Sequence, residues 1–139
     1  MVMQEIIDTM LNPYYPHCRY LKEANLEYPT MYSKLSIPET CYGENSGHFN
    51  ATEMMMCISQ MCFVFFAESF RNGYIGSAGK IPIEDFKAHQ MGSCYVAKMD
   101  KIRFKAEIDP RDFYGTIEAT KSRRVRDTIF IDTDFAFKD

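Results

Sequence analysis

Apolar side chains run from Met54 to Ala67 with only Ser59 and Gln60 interrupting them, and Glu53 and Glu68 bracket the run. Continuous apolarity without a polar face predicts a helix buried on nearly every side. At about 1.5 Å per residue the run falls short of a bilayer core of about 30 Å, so no membrane span is expected. Both ends carry stop signals. Asn50-Ala51-Thr52-Glu53 has the form of a capping box, and Arg71-Asn72-Gly73 places a cation in the last turn with glycine just beyond. The helix is expected over roughly 51–72.

Elsewhere the period changes. Met3, Ile6, Ile7, Met10 and Leu11 form a helical stripe halted by Pro13, and Met31 to Ile37 reads as a strand ended by Pro38. Downstream, Ile102, Phe104, Ala106 and Ile108 alternate with charged residues, and Asp109-Pro110-Arg111-Asp112 reads as a tight turn. Phe113, Gly115, Ile117 and Ala119 continue the alternation, a polar break spans Lys121 to Asp127, and Ile129, Ile131, Thr133, Phe135 and Phe137 resume it. Three successive strands are expected here, two of them a hairpin.

A wholly apolar helix needs apolar matter all round it. An antiparallel sheet curled around it, with a second subunit over the remainder, supplies that. The element order is that of the α+β hot-dog fold. A ferredoxin-like sandwich competes, but it would need a second well-signalled helix, and only the weak segment Ile83 to Gln90 is available.

The 139 residues are expected to form one domain, 1–139, with an ordinary globular balance of 46% hydrophobic and 25% charged residues. A net charge of −3 argues against a broad nucleic-acid surface. The five cysteines, Cys18, Cys41, Cys57, Cys62 and Cys94, contain no CxxC pair, so neither a zinc knuckle nor a disulfide framework is expected. Cys57 and Cys62, five apart, read as core residues. Neither a metal nor an organic cofactor is called for: no nucleophile elbow, P-loop or dinucleotide fingerprint is present. The first residues, Met-Val-Met-Gln-Glu, lack a basic and then apolar leader, so a cytoplasmic location is expected.

The densest polar cluster, Cys41 to Asn50, lies just before the buried helix. Gly43 and Gly47 allow close backbone approach, and the free N–H groups of a helix start can hold a carbonyl oxygen that is becoming negative. His48 can move a proton near neutral pH, while Asn50 and Tyr42 can donate hydrogen bonds. A thioester reaction requires this set. Each residue also has a plainer explanation. Helix capping accounts for Asn50, reciprocal capping for Glu53, turn geometry for Gly47, and solvation for a loop histidine.

The run Tyr42-Gly43-Glu44-Asn45-Ser46-Gly47-His48-Phe49-Asn50-Ala51-Thr52-Glu53, followed by an apolar helix containing Ser59-Gln60, resembles the FcoT-like family of hot-dog acyl thioesterases. That resemblance implies hydrolysis of long-chain acyl thioesters. In relatives of β-amino-acyl and isonitrile lipopeptide pathways it implies addition of glycine to the β-carbon of an α,β-unsaturated acyl thioester. It places catalytic weight on Tyr42, His48 and Asn50, and substrate contacts on Gly47, Glu53, Ser59 and a tyrosine of the Pro-Tyr stretch, Tyr14 or Tyr15, with Tyr15 taken first. Long-chain members carry an asparagine where this sequence has Ser59, which inclines the reading towards glycine addition, coupled or not to hydrolysis. The acyl chain is expected among the Met and Phe side chains of the long helix.

The basic run Lys121-Ser122-Arg123-Arg124-Val125-Arg126 stands out on an acidic chain. Solvation explains it; so does docking of an acidic acyl carrier protein or of coenzyme A phosphates through Arg123, Arg124 and Arg126. The expected enzyme is a homodimer or larger, acting on a carrier or CoA thioester with glycine as co-substrate. A plain long- or medium-chain thioesterase and a non-catalytic carrier-binding module are the alternatives.

Overall fold

The computed structural model describes residues 1–139. Helix α1 (Met3–Leu11) and a single 3-10 turn (Pro16–Cys18) lead into strands β1 (Leu21–Glu27) and β2 (Thr30–Leu35). The long helix α2 (Ala51–Arg71), the short helix α3 (Ile83–His89) and the strands β3 (Phe113–Val125) and β4 (Thr128–Lys138) follow. The sheet is antiparallel throughout, in the order β1-β2-β3-β4. With α2 lying against its inner face, this is the hot-dog arrangement.

The inner face follows from the period of two. Met31, Ser33 and Leu35 of β2 and Phe113, Gly115 and Ile117 of β3 are buried, whereas the intervening Tyr32, Tyr114 and Glu118 are exposed. Ser33 pairs with Gly115 in the ladder, so two small residues adjoin where α2 crosses. A Cβ on Gly115 would stand 2.9 Å from the Phe137 ring and 3.0 Å from both Leu35 and the Met61 sulfur. The missing side chain is what lets α2 approach the sheet this closely.

Helix α2 has the predicted ends. The Asn50 side chain accepts from Glu53 N at 3.0 Å while Glu53 Oε1 accepts from Asn50 N at 3.3 Å, a complete capping box. At the other end Gly73 takes φ +72°, Tyr74 N donates to Ser69 O at 3.0 Å and Gly73 N to Phe70 O at 3.1 Å. These two bonds form a Schellman motif. The 21-residue helix is longer than the apolar run 54–67 and is long and apolar enough to cross a membrane, but one face is packed into the core. It is not buried on every side: Thr52 and Met55 are exposed, and Ser59, Phe63 and Phe66 are half-buried along the opposite stripe.

Gln60 is the fixed point between helix and sheet. Fully buried, it accepts from Tyr20 N at 2.9 Å and Leu21 N at 3.1 Å, and donates to Cys18 O at 2.7 Å. The chain entering β1 is thereby tied to the middle of α2. Helix α3 performs a similar service for α1, whose final carbonyls accept from Lys87 Nζ (Thr9 O, 2.7 Å) and Gln90 Nε2 (Met10 O, 2.7 Å).

Three sequence expectations are corrected. The alternating segment 102–108 is not a strand: it carries no ladder, and Ile102 and Phe104 are exposed. Alternation supplies an amphipathic strand but not a neighbour to pair with. The strand β1 is additional; its polar residues Lys22, Glu23, Asn25 and Glu27 suit a sheet edge. Finally, Lys121 to Val125 is not a break between strands, since β3 continues through it and pairs with β4 as far as Val125–Thr128. Because β2 stops pairing at Thr30–Glu118, the hairpin tip extends beyond the three-stranded part of the sheet.

Candidate active site

The start of α2 gathers part of the expected set. Tyr42 and Asn50 face each other, the phenol oxygen lying 2.9 Å from Asn50 Oδ1 and 2.7 Å from Asn50 Nδ2. Asn50 Oδ1 is already engaged by Glu53 N, so the amide links helix capping to the loop tyrosine. Within the first turn, Met54 N donates to Asn50 O at 2.9 Å, while the N–H groups of Ala51 and Thr52 find no acceptor in the chain. These are among the unpaired donors every helix start leaves; Ala51 and Thr52 are exposed residues directly after Asn50, which bonds Tyr42.

The preceding loop is shaped by local hydrogen bonds. Gly47, at φ +80°, donates its N–H to Asn45 Oδ1 at 3.2 Å, and Ser46 Oγ donates to His48 O at 3.1 Å. The left-handed backbone explains the glycine without a ligand. His48 is exposed and its ring makes no hydrogen bond with Tyr42 or Asn50. Phe49, the next residue, is buried against Phe113 at 4.7 Å and Phe137 at 5.1 Å between ring centroids, so the loop is anchored immediately beside its histidine. Glu53 is 1% exposed; its second oxygen lies 3.4 Å from Thr40 Oγ1, and none of this places it towards a substrate.

Ser59 lies in a second group, two turns further along α2. Its hydroxyl is hydrogen-bonded to that of Tyr14, and burial holds the Tyr14 phenol above its ordinary pKa, against the lowering effect of the Ser59 bond. The phenol therefore keeps its proton, and either hydroxyl can donate in their mutual bond. Tyr15 does not join them: it is 74% exposed and stacks against His17. Of the two tyrosines in the Pro-Tyr stretch, Tyr14 is the one inside. Pro13, Tyr14, Ser59, Phe63 and Gln90 line a cavity of about 200 Å³ with Met91 and Cys94 at its exposed rim. Sequence reasoning missed Gln90. Its only signal was a polar residue closing a short amphipathic segment.

The long helix does not offer its full Met and Phe set to an acyl chain. Met54, Met61, Phe65 and Phe70 are core residues, leaving Met55, Met56, Phe63 and Phe66 partly accessible. Cys57 is buried with its thiol pKa pushed up by burial, and burial pushes the thiol of half-buried Cys62 to about 12; neither is a ready nucleophile. The basic residues sit on the projecting hairpin. Arg123 lies over the Phe130 ring at 4.7 Å, Arg124 Nε donates to Arg126 O at 3.0 Å, and Arg126 takes φ +57° at the turn. All three are exposed.

The chain is similar to several known proteins. The chain is 28% identical over 145 residues to a (2E)-enoyl-[ACP] glycyltransferase of Streptomyces coeruleorubidus, covering 99% of this chain and 87% of that protein. A protein of the same name from Mycobacterium marinum is 28% identical, with 91% of this chain and 71% of the relative covered. Its namesake from Mycobacterium tuberculosis is 30% identical, with coverages of 81% and 63%. The FcoT-like thioesterase domain model matches residues 9–139, and the chain belongs to that family.

Proposed function

We propose that this protein adds glycine to the β-carbon of an α,β-unsaturated acyl thioester carried by an acyl carrier protein. The observation that carries the chemistry is the α2 start, where two unpaired N–H groups stand beside the Tyr42–Asn50 pair. The nitrogen lone pair of glycine forms a bond to the β-carbon. The π electrons move towards the thioester, whose oxygen becomes an enolate held by the N–H groups of Ala51 and Thr52. The proton shed by the glycine nitrogen passes to His48, and a proton is returned to the α-carbon. The product is an N-carboxymethyl β-amino-acyl thioester, with no bond broken at the carbonyl.

Hydrolysis is the second reading, favoured by the family's thioesterase character. The same donors would then hold the oxyanion of a tetrahedral intermediate, with His48 activating water. What supports addition is that proteins named enoyl-ACP glycyltransferases align with nearly the whole chain. In this reading Arg123, Arg124 and Arg126 attract the acidic carrier, and a homodimer covers the accessible stripe of α2. Mass spectrometry of an enoyl carrier thioester incubated with and without glycine tests it. A mass gain of one glycine on the carrier-bound acyl group is expected; a free acid with glycine never incorporated would replace addition by hydrolysis.

A further inference from the structure

The α2 start and the basic hairpin lie at opposite ends of one ladder. Phe49, directly before the Asn50 cap, packs on Phe113 at the head of β3 and on Phe137 near the end of β4. The cations occupy the far end, where Val125 pairs with Thr128. At about 3.3 Å per residue, the 13 residues of β3 put its ends about 40 Å apart. A carrier's pantetheine arm has about thirteen bonds from sulfur to phosphorus, a reach of roughly 16 Å when extended. An arm whose thioester lies at the α2 start therefore leaves its phosphate far short of the hairpin of the same copy. Yet the hairpin cations are free to bind: none of Lys121, Arg123, Arg124 and Arg126 joins an ion pair.

Register separates these cations by side. β3 carries one extra residue, Thr120, between the pairs Ala119–Thr133 and Lys121–Asp132, and this bulge exchanges the faces of the strand. β4 runs on without interruption, so Ile129 and Ile131 share the inner face with Phe135 and Phe137, and all four pack against the core. Arg124 stands opposite Ile129 and is placed on that inner side, where α2 lies. Arg123 stands opposite Phe130 and covers its ring on the outer side. Arg124 Nε is held by Arg126 O at 3.0 Å, which leaves its two terminal amino groups to donate.

Helix α2 points from the site towards the hairpin. It passes Gly115 at Met61 and sets Phe65 against Tyr28, whose neighbour Pro29 accepts from Ala119 N at the hairpin base. A two-fold axis perpendicular to α2 turns a second copy end for end and brings its α2 start to the hairpin end of the first. We infer that Arg124 of one copy binds the phosphate of the pantetheine arm whose thioester is held at the α2 start of the other. This rests on the reading of the substrate as a carrier thioester bound by a homodimer over the α2 stripe. It adds that each site is incomplete without the hairpin of its partner.

The test uses the whole protein and two ligands, acyl-phosphopantetheine and acyl-pantetheine, made non-hydrolysable by a methylene between sulfur and carbonyl. Calorimetry should show the wild type binding the phosphorylated ligand about tenfold more tightly. Arg124→Glu, with native circular dichroism, should lose that preference. Lys121→Glu, the same charge change on the outer side, should keep it. Equal binding by the wild type, or a preference retained in Arg124→Glu, overturns the contact; loss in both variants reduces it to general charge and overturns it too. Mixed dimers of wild-type and Arg124→Glu copies that differ in mass then show which copy each hairpin serves. A phosphorylated ligand with a diazirine beside the carbonyl, used below saturation, should label the Arg124→Glu copy, because its partner supplies the arginine. Label on the wild-type copy gives the hairpin to its own site, and equal label removes Arg124 from both; either overturns the inference. Because binding is read without turnover, failure of glycine addition itself would appear separately, as a missing product.

Discussion

Replacing Gln60 with leucine tests how the fold is held together. The substitution keeps the side-chain volume roughly constant but removes the partners of Tyr20 N, Leu21 N and Cys18 O together. Each buried main-chain group left unpaired costs about 1–3 kcal/mol, and the extra apolar surface of leucine returns about 1 kcal/mol. The expected net loss is about 2–8 kcal/mol, a large share of the 5–15 kcal/mol typical of a domain. With a urea m-value of about 2 kcal/mol per molar, the unfolding midpoint should fall by about 1–4 M. A loss below about 1 kcal/mol at unchanged m would refute the assignment of Gln60 as the tie between α2 and β1. Gln60→Glu gives a signed control. Its carboxylate can still accept from both N–H groups but opposes Cys18 O, and burial raises its pKa in the folded state above the unfolded value. Folding then takes up protons, so this variant should be destabilised at pH 7 and recover as pH falls through that raised pKa towards about 4.3.

Four further outcomes are expected. His48→Ala should remain folded and lose about 10²–10⁴ in kcat/KM for glycine addition, as loss of a general base does; an unimpaired rate would remove His48 from the reaction. Asn50→Ala should lose about 0.5–2 kcal/mol of stability through the cap, whereas Asn50→Asp retains the acceptor for Glu53 N. If Asn50→Asp matches the wild type in turnover, the donor facing Tyr42 has no catalytic part. Reversing the charges of Arg123, Arg124 and Arg126 should raise KM for carrier-borne substrate and spare a short pantetheine thioester; equal loss on both would indicate damage to the fold. Sedimentation equilibrium at micromolar concentration should give a dimer or larger, and a clean monomer would contradict the covering of the α2 stripe by a second copy.

The parts of the fold that were legible in the sequence are those whose signals are local. The α2 ends were readable because Asn50, Glu53 and Gly73 each act within one turn of their own position. The inner face of β3 was readable because period two is a property of the strand alone. Pairing is not local. The segment 102–108 has a strand's alternation without a neighbour, while β1, with an edge strand's polar character, has a neighbour that its pattern did not announce. The site divides in the same way. Tyr42, Asn50 and Glu53 lie within twelve residues of one another and were grouped from spacing. Tyr14, Ser59 and Gln90 are brought together by tertiary packing, and no spacing could have chosen Tyr14 over Tyr15 or singled out Gln90.

The remaining discrepancies share one physical character. Ile102 and Phe104 alternate as a half-buried strand should but are exposed; Met55, Phe63 and Phe66 extend an apolar helix face that nothing in the chain fully covers; and the β3–β4 hairpin runs on past the end of β2 as two strands. Two strands without a third are marginal in water, and an uncovered apolar helix stripe is unfavourable for a monomer. Elsewhere in the chain, local preference and tertiary structure agree, from the capping box to the Gly115 crossing, so the sequence is not generally frustrated. Preferences that exceed what one chain can satisfy, confined to a helix stripe, a pre-strand segment and a projecting hairpin, are what a second copy would take up in the proposed homodimer. The α2 stripe also carries Ser59 and begins at the first-turn donors, so the surface that the proposed homodimer would cover borders both groups of the candidate active site.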